Sequence, residues 1–219
     1  MKLIGLPKQQ IVIEGNVKIP REITTLVGYR HQGNPIAQGK VLGDFDCSFT
    51  QIKSLVGGPS WVGGGFYCRY TNIISLEQGP SWVGGDFNCV ETKIKSLEGG
   101  PNYVGGNFNC YYTNITSVEQ GPGWVGGYFN CVETKIKSLH DIHKEIKHIG
   151  CRLLIPDTVT SHILGVMFIK GLLEIEIQND NIEQKQVERI INKHLAGDRN
   201  VHLAQEELLE GGLAEFAKL

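Results

Sequence analysis

The feature that most constrains this chain is a spacing. Cys47, Cys68, Cys89, Cys110 and Cys131 fall 21 residues apart, and Cys151 follows after 20. An even number of cysteines in a small secreted protein reads as a disulfide framework. Cysteines set one repeat length apart read instead as a single position of a recurring unit. In the unit Val83-Gly84-Gly85-Asp86-Phe87-Asn88-Cys89, the chain continues through Thr92, Ile94, Ser96, Leu97, Gly100 and Pro101. The same types recur one unit earlier (Val62, Phe66, Cys68, Thr71, Ile73, Leu76, Pro80) and one later (Val104, Phe108, Cys110, Thr113, Ile115, Val118, Pro122). A degenerate copy starts at Val41, and the last clear one runs from Val125 to Leu139. Segments 88–97 and 130–139 are identical, and copies two apart share Tyr-Thr-Asn-Ile and Glu-Gln-Gly-Pro, which points to duplication of a 42-residue pair.

Phe and Cys alternate with outward residues, so Phe87 and Cys89 are predicted to face inward and Asp86, Asn88 and Val90 outward. One coil cannot bury its own apolar face. Stacking coils about 4.8 Å apart builds a continuous core with columns of Phe, Cys, Thr, Ile and Leu. The Gly-Gly pair before each strand and the Gly-Pro after it are expected to make the corners, Gly by tolerating positive φ and Pro by fixing its own. The cysteine column lies within disulfide reach from coil to coil, but parallel thiols in an apolar core act as small hydrophobes.

Three regions follow. Residues 1–40 lack the repeat and are expected to form an N-terminal cap, although 11–14 alternate like a strand. Residues 41–151 form a solenoid of about five coils, with Ile149-Gly150-Cys151 keeping the Phe and Cys slots. Residues 152–219 make a C-terminal strand (172–177) and a helical cap, since a solenoid exposes its apolar end unless something covers it. Val187, Ile190, Ile191 and Leu195 share one helical face over 183–195, Gly197 ends that helix, and Asn200 starts a second one to Glu210. The helical pair also offers a surface for homo-oligomerisation.

Phe-x-Cys-x-x-Thr-x-Ile-x-Ser-Leu resembles the leucine-rich repeat, written Leu-x-Leu-x-x-Asn-x-Leu-x-x-Leu, and a 21-residue unit falls in its short class. Thr stands where that family writes Asn, so a hydroxyl must bond the backbone in place of an amide ladder. The first Leu of the consensus falls on Gly, with Val one place earlier. The fold class expected is therefore a β-rich repeat solenoid, leucine-rich-repeat-like with a helical C-terminal cap, and a narrow right-handed β-solenoid is the alternative. The combination of VGGxFxC, SLExGP and the tail from Val187 to Leu219 is similar to leucine-rich-repeat-like proteins encoded by tailed bacteriophages. That resemblance spans Val41 to the C-terminus and implies a setting in the host cytoplasm.

Twenty-one basic and 23 acidic residues leave a formal charge of -2, which excludes a dominant nucleic-acid or anionic-membrane surface, since either needs clustered Lys and Arg. The apolar stretch near 163–169 is broken by Lys170 and is too short for a bilayer. Residues 1–15 contain no apolar core of a secretory signal. Together these features predict a soluble, intracellular protein. No nucleophile elbow, phosphate loop or His-Glu-x-x-His pattern occurs, so neither an enzyme nor a cofactor is expected. His140, His143, His148 and Cys151 include zinc-ligand types but at no established finger spacing. Asp44, Asp46 and Asp86 offer carboxylates to a cation, interrupted by Gly65 and Tyr67 in the intervening coil. Trp61, Trp82, Tyr103 and Trp124 recur two residues after each Gly-Pro and suit either ladder packing or a stacking platform.

The outward strand face carries the functional expectation. Its columns vary from coil to coil while core columns do not: Asp44, Gly65, Asp86, Asn107, Tyr128; Asp46, Tyr67, Asn88, Asn109, Asn130; Ser48, Arg69, Val90, Tyr111, Val132; and Phe49, Tyr70, Glu91, Tyr112, Glu133. Tyr with Asn and Asp combines rigid aromatic area with adaptable hydrogen bonding. The candidate partner-binding residues are Asp44, Asp46, Tyr67, Arg69, Tyr70, Asp86, Asn88, Asn107, Asn109, Tyr111, Tyr112, Tyr128 and Asn130, against the plainer reading of a solvated sheet face. The expected function is a non-enzymatic protein-interaction module that binds a host bacterial protein. A virion structural or assembly component and a small-ligand or carbohydrate binder are the alternatives.

Overall fold

The computed structural model describes residues 11–179 and 181–219, and over them the chain is a parallel β-solenoid with a helical cap. Each coil contributes two strands, mostly of two residues. The Val slot and its preceding residue build a seven-stranded sheet, from Val12–Ile13 through Lys40–Val41, Trp61–Val62, Trp82–Val83, Tyr103–Val104 and Trp124–Val125 to His148–Ile149. The Phe slot and the residue after it build an eight-stranded sheet, from Val17–Lys18 through Phe45–Asp46 and four further coils to Arg152–Ile155 and Glu174–Ile177. All of these pairings are parallel, with like residues facing like: Phe45, Phe66, Phe87, Phe108 and Phe129 form one column. An antiparallel pair, Arg30–His31 with Asn34–Pro35, stands outside both sheets.

The core is what the repeat predicts. All five Phe are buried and stacked, with ring centroids 5.0 to 5.5 Å apart. The columns of Cys, Thr, Ile and Leu lie beside them, also buried. Burying each Phe is worth about 2–3 kcal/mol in transfer free energy, and offset stacking adds about 1 kcal/mol more. Each column Thr keeps its hydroxyl satisfied inside this core. Thr50, Thr71, Thr92, Thr113 and Thr134 donate to the carbonyl of the Cys three residues earlier, at 2.7 to 2.8 Å. The Thr that replaces the consensus Asn thus closes a turn within its own coil. Ser54, Ser75, Ser96, Ser117 and Ser138 do the same at the next corner, each accepting from the N–H two residues on.

Three expectations are corrected. The Gly-Gly corners are not left-handed, since none of these glycines has positive φ. They are Gly because the coils touch there: a Cβ on Gly84, Gly105 or Gly126 would collide with the carbonyl oxygen of Gly63, Gly84 or Gly105 below it. The region 1–40 is more than a cap, because its described part already supplies a strand to each sheet, in register with Lys40–Val41 and Phe45–Asp46. Finally, Cys151 does not hold the Cys slot. Ile149 pairs with Val125 and Leu153 with Phe129, a step of 24 residues, because the short helix α1 (Ile142–Glu145) enlarges that coil. Cys151 is exposed, while the other five cysteines are buried and free.

The C-terminal end is sealed by α2 (Ile182–Ala196) and α3 (Val201–Glu210). Asn181 and Asn200 cap them, accepting the N–H groups of Gln184 and of His202 and Leu203. Helix α2 covers the free edge of the last strand through its side chains. Asn192 donates to and accepts from the backbone of Ile175 at 2.8 and 2.7 Å, and Glu188 accepts the N–H of Ile177 at 2.7 Å. Among the described residues no helix is long and apolar enough to cross a membrane.

Candidate functional site

The outward face of the eight-stranded sheet resolves into columns with different duties. Asp44, Asp86 and Asn107 reach across to the next coil, where their Oδ1 atoms accept the N–H groups of Gly65, Asn107 and Tyr128 at 2.7, 2.7 and 3.0 Å. Asn16 makes the same bond to the N–H of Asp44. Asp46, Asn88, Asn109 and Asn130 turn back on their own coil and accept the N–H two residues on, at 2.9 to 3.2 Å. Seven of the thirteen candidate residues therefore use a side-chain oxygen to hold the backbone. This explains why Asp and Asn recur there: they are the residues that cap turns of this kind.

The remaining six are Tyr67, Arg69, Tyr70, Tyr111, Tyr112 and Tyr128. Tyr67 lies over Gly65, filling the gap that this glycine leaves between Asp44 and Asp86. Its phenol is pushed above the usual value, first by burial and then by the carboxylates of Asp44, Asp86 and Asp46, with Arg69 opposing them. A hydroxyl that stays protonated thus occupies the space between the Asp44 and Asp86 positions. Tyr70 is exposed and stacks on Phe49 with centroids 4.8 Å apart, and Arg21 and Arg69 bring their guanidinium groups to 5.3 and 5.7 Å from the Phe49 ring. Tyr111 and Tyr112 are 6.0 Å apart and tilted. Tyr128 is half-buried in the Asp44 column.

The column Phe49, Tyr70, Glu91, Tyr112, Glu133 has a property that alternation alone does not reveal. Every member is in the left-handed region, with φ of 62, 57, 52, 54 and 55°. Side chains that branch or carry bulk pay a steric cost there, and Gly, Asn or Asp would hold the turn more cheaply. The chain nevertheless places three aromatic rings and two carboxylates there, all exposed. Phe49 and Arg21 belong to this patch but were outside the candidate set. The continuity of Phe49 with Tyr70, one repeat apart, was the available signal, whereas nothing in the sequence connects Arg21 to it.

On the other sheet the second aromatic column forms one continuous stack. Lys40 caps Trp61 with its ammonium 5.6 Å from the ring, and the stack runs Trp61, Trp82, Tyr103, Trp124 to His148 with centroids 4.6, 5.3, 6.3 and 3.7 Å apart. Each ring is turned toward its neighbours along the stack, and Trp124 is the exposed member. The members of the His/Cys string point to different places: His148 to Trp124, His143 to Phe168, His140 to His162 and Cys151 to solvent. Among the described residues no group of three or more His, Cys, Asp or Glu is placed to hold a metal ion.

Fold and site together define a class, a capped parallel β-solenoid with a polar and aromatic strand face. Comparison with protein-family models, with curated proteins and with solved structures returned no match.

Proposed function

We propose that this protein is a non-enzymatic interaction scaffold that binds another protein through the outward face of its eight-stranded sheet. The observation that carries the reading is the left-handed column. Exposed aromatic side chains at positive φ serve neither the core nor the turn, and residues that cost stability on a surface are retained where they make contacts. Tyr and Arg are also the side chains that dominate binding energy at protein interfaces. The scaffold bonds of the Asp and Asn columns hold this surface rigid, which lowers the entropy lost on association.

The similarity of the repeat to phage-encoded leucine-rich-repeat-like proteins supports a bacterial host protein as the partner and the host cytoplasm as the place of action. Sugar binding through the Trp column is disfavoured, since stacking a pyranose needs a free ring face and the rings of this column stack on one another.

Affinity capture from bacterial lysate, with and without phage infection, tests the reading, followed by titration of the purified pair. The control carries Arg69→Ala, Tyr70→Ala and Tyr112→Ala. One host protein bound by the wild type and released by the control, at equal melting temperature, is the expected result. Recovery of virion proteins alone replaces the reading with a structural or assembly role. Equal loss of folding and binding removes this face as the site.

A further inference from the structure

Between the third and fifth of the regular coils the left-handed column opens into a cleft of about 490 Å³, lined among others by Glu91, Lys93, Tyr112, Glu133, Lys135 and Asp157. That volume lies within the range of ligand-binding clefts. Tyr112 stands at its centre, 58% exposed, with Glu91 one coil before it and Glu133 one coil after it. Three carboxylates line the cleft against two ammonium groups. None of the ion pairs among the described residues uses Glu91, Glu133, Lys93 or Lys135.

The same column already shows a cation over an aromatic ring. Three coils before Tyr112, Phe49 receives the guanidinium groups of Arg21 and Arg69 on its ring. Around Tyr112 no cation of the described chain lies over the ring, and two carboxylates flank it where Phe49 has none. An aromatic face with a carboxylate on either side suits a planar cation, which can stack on the ring while donating hydrogen bonds to both acids. Guanidinium fits this better than ammonium, since it is flat and less strongly hydrated.

We propose that the Glu91–Tyr112–Glu133 cleft accepts an arginine side chain of the partner protein. This deepens the interaction reading and rests on it for the source of the arginine. Lys93 and Lys135, on the neighbouring column of the same coils, then face an acidic group beside that arginine, so the recognised segment carries both charges.

The test is an NMR titration of the full chain with N-acetyl-arginine amide, with the neutral isostere N-acetyl-citrulline amide as the comparison. Saturable shifts centred on residues 91, 112 and 133 are expected, with citrulline binding roughly tenfold more weakly or less. Glu91→Gln with Glu133→Gln keeps the shape of the cleft and should weaken arginine by a similar factor, as should Tyr112→Ala. Equal binding of citrulline, or undiminished arginine binding in the double Gln variant, overturns the proposal. The two readings fail separately. A captured partner that is lost from the Arg69, Tyr70 and Tyr112 control but bound normally by the double Gln variant removes the cleft and keeps the interaction face. Arginine binding without any captured protein keeps the cleft and removes the protein partner.

Discussion

At the scale of single residues, glycine and tyrosine do the opposite of what their types suggest. Gly105 is required by contact and not by conformation, because a Cβ there meets the carbonyl of Gly84 in the coil below. Gly105→Ala should cost about 3 kcal/mol in chemical denaturation, as overpacking against backbone does. Gly123→Ala meets chiefly the side-chain tip of Asn102 and should stay within about 0.5 kcal/mol; equal losses at the two sites would refute the close-approach account. Tyr112 shows the reverse case, a bulky residue at φ 54°. Tyr112→Asn should raise stability by about 0.5–1 kcal/mol through relief of the left-handed strain while weakening partner binding. A fall in both would make Tyr112 a packing residue. The cysteines separate by register. Burial pushes the Cys131 thiol up to about 12, and the other four core thiols are raised for the same first cause. A thiol reagent at pH 8 should therefore label Cys151 alone in the folded protein and all six after unfolding. Fast labelling of more than one would contradict the buried cysteine column, and a protected Cys151 would contradict the shifted register.

At the scale of elements, the sealed edge of the strand Glu174–Ile177 is the feature most exposed to mutation. Its outward N–H and C=O groups are satisfied by Asn192, Glu188 and Lys185 of α2. Arg199 adds bonds to the carbonyls of Ile169 and Leu172 near the same end. Asn192→Leu preserves the bulk of the side chain and the helix but leaves two backbone groups without partners. It should cost about 2–4 kcal/mol and produce self-association that rises with concentration, read by light scattering, since an open parallel edge is a template for another strand. A monomer of unchanged stability would mean that the edge is protected some other way. The two helices were legible from the spacing of Val187, Ile190, Ile191 and Leu195 and from the Asn caps. That α2 closes a strand edge with an amide was not, because Ile175 and Asn192 are neighbours only once both have folded.

At the scale of the whole molecule, the coil is the unit of stability, and each coil touches only its neighbours. Removal of residues 84–104 joins Val83 to Gly105 and should leave a cooperatively folding, shorter solenoid with a lower melting temperature. Removal of 85–104, one residue fewer, leaves a third glycine at a corner where the coils touch and should lower the melting temperature further, since the extra residue has to be fitted into a close-packed turn. Circular dichroism and thermal melts of the two deletions decide this, and equal melting temperatures for both would sink the close-contact account of the corner. By itself the sequence determined the coil length, the inward columns, the parallel stacking and the helical end. All of these follow from periodicity, and periodicity is a local property that survives into the fold. Only the tertiary structure decided why the corner glycines are glycine, where Cys151 goes after a three-residue enlargement, and which outward residues are free. Those answers depend on distances between coils. An Asp or Asn on the outward face looks the same in sequence whether its oxygen meets solvent, a partner, or the N–H of the next turn of the chain.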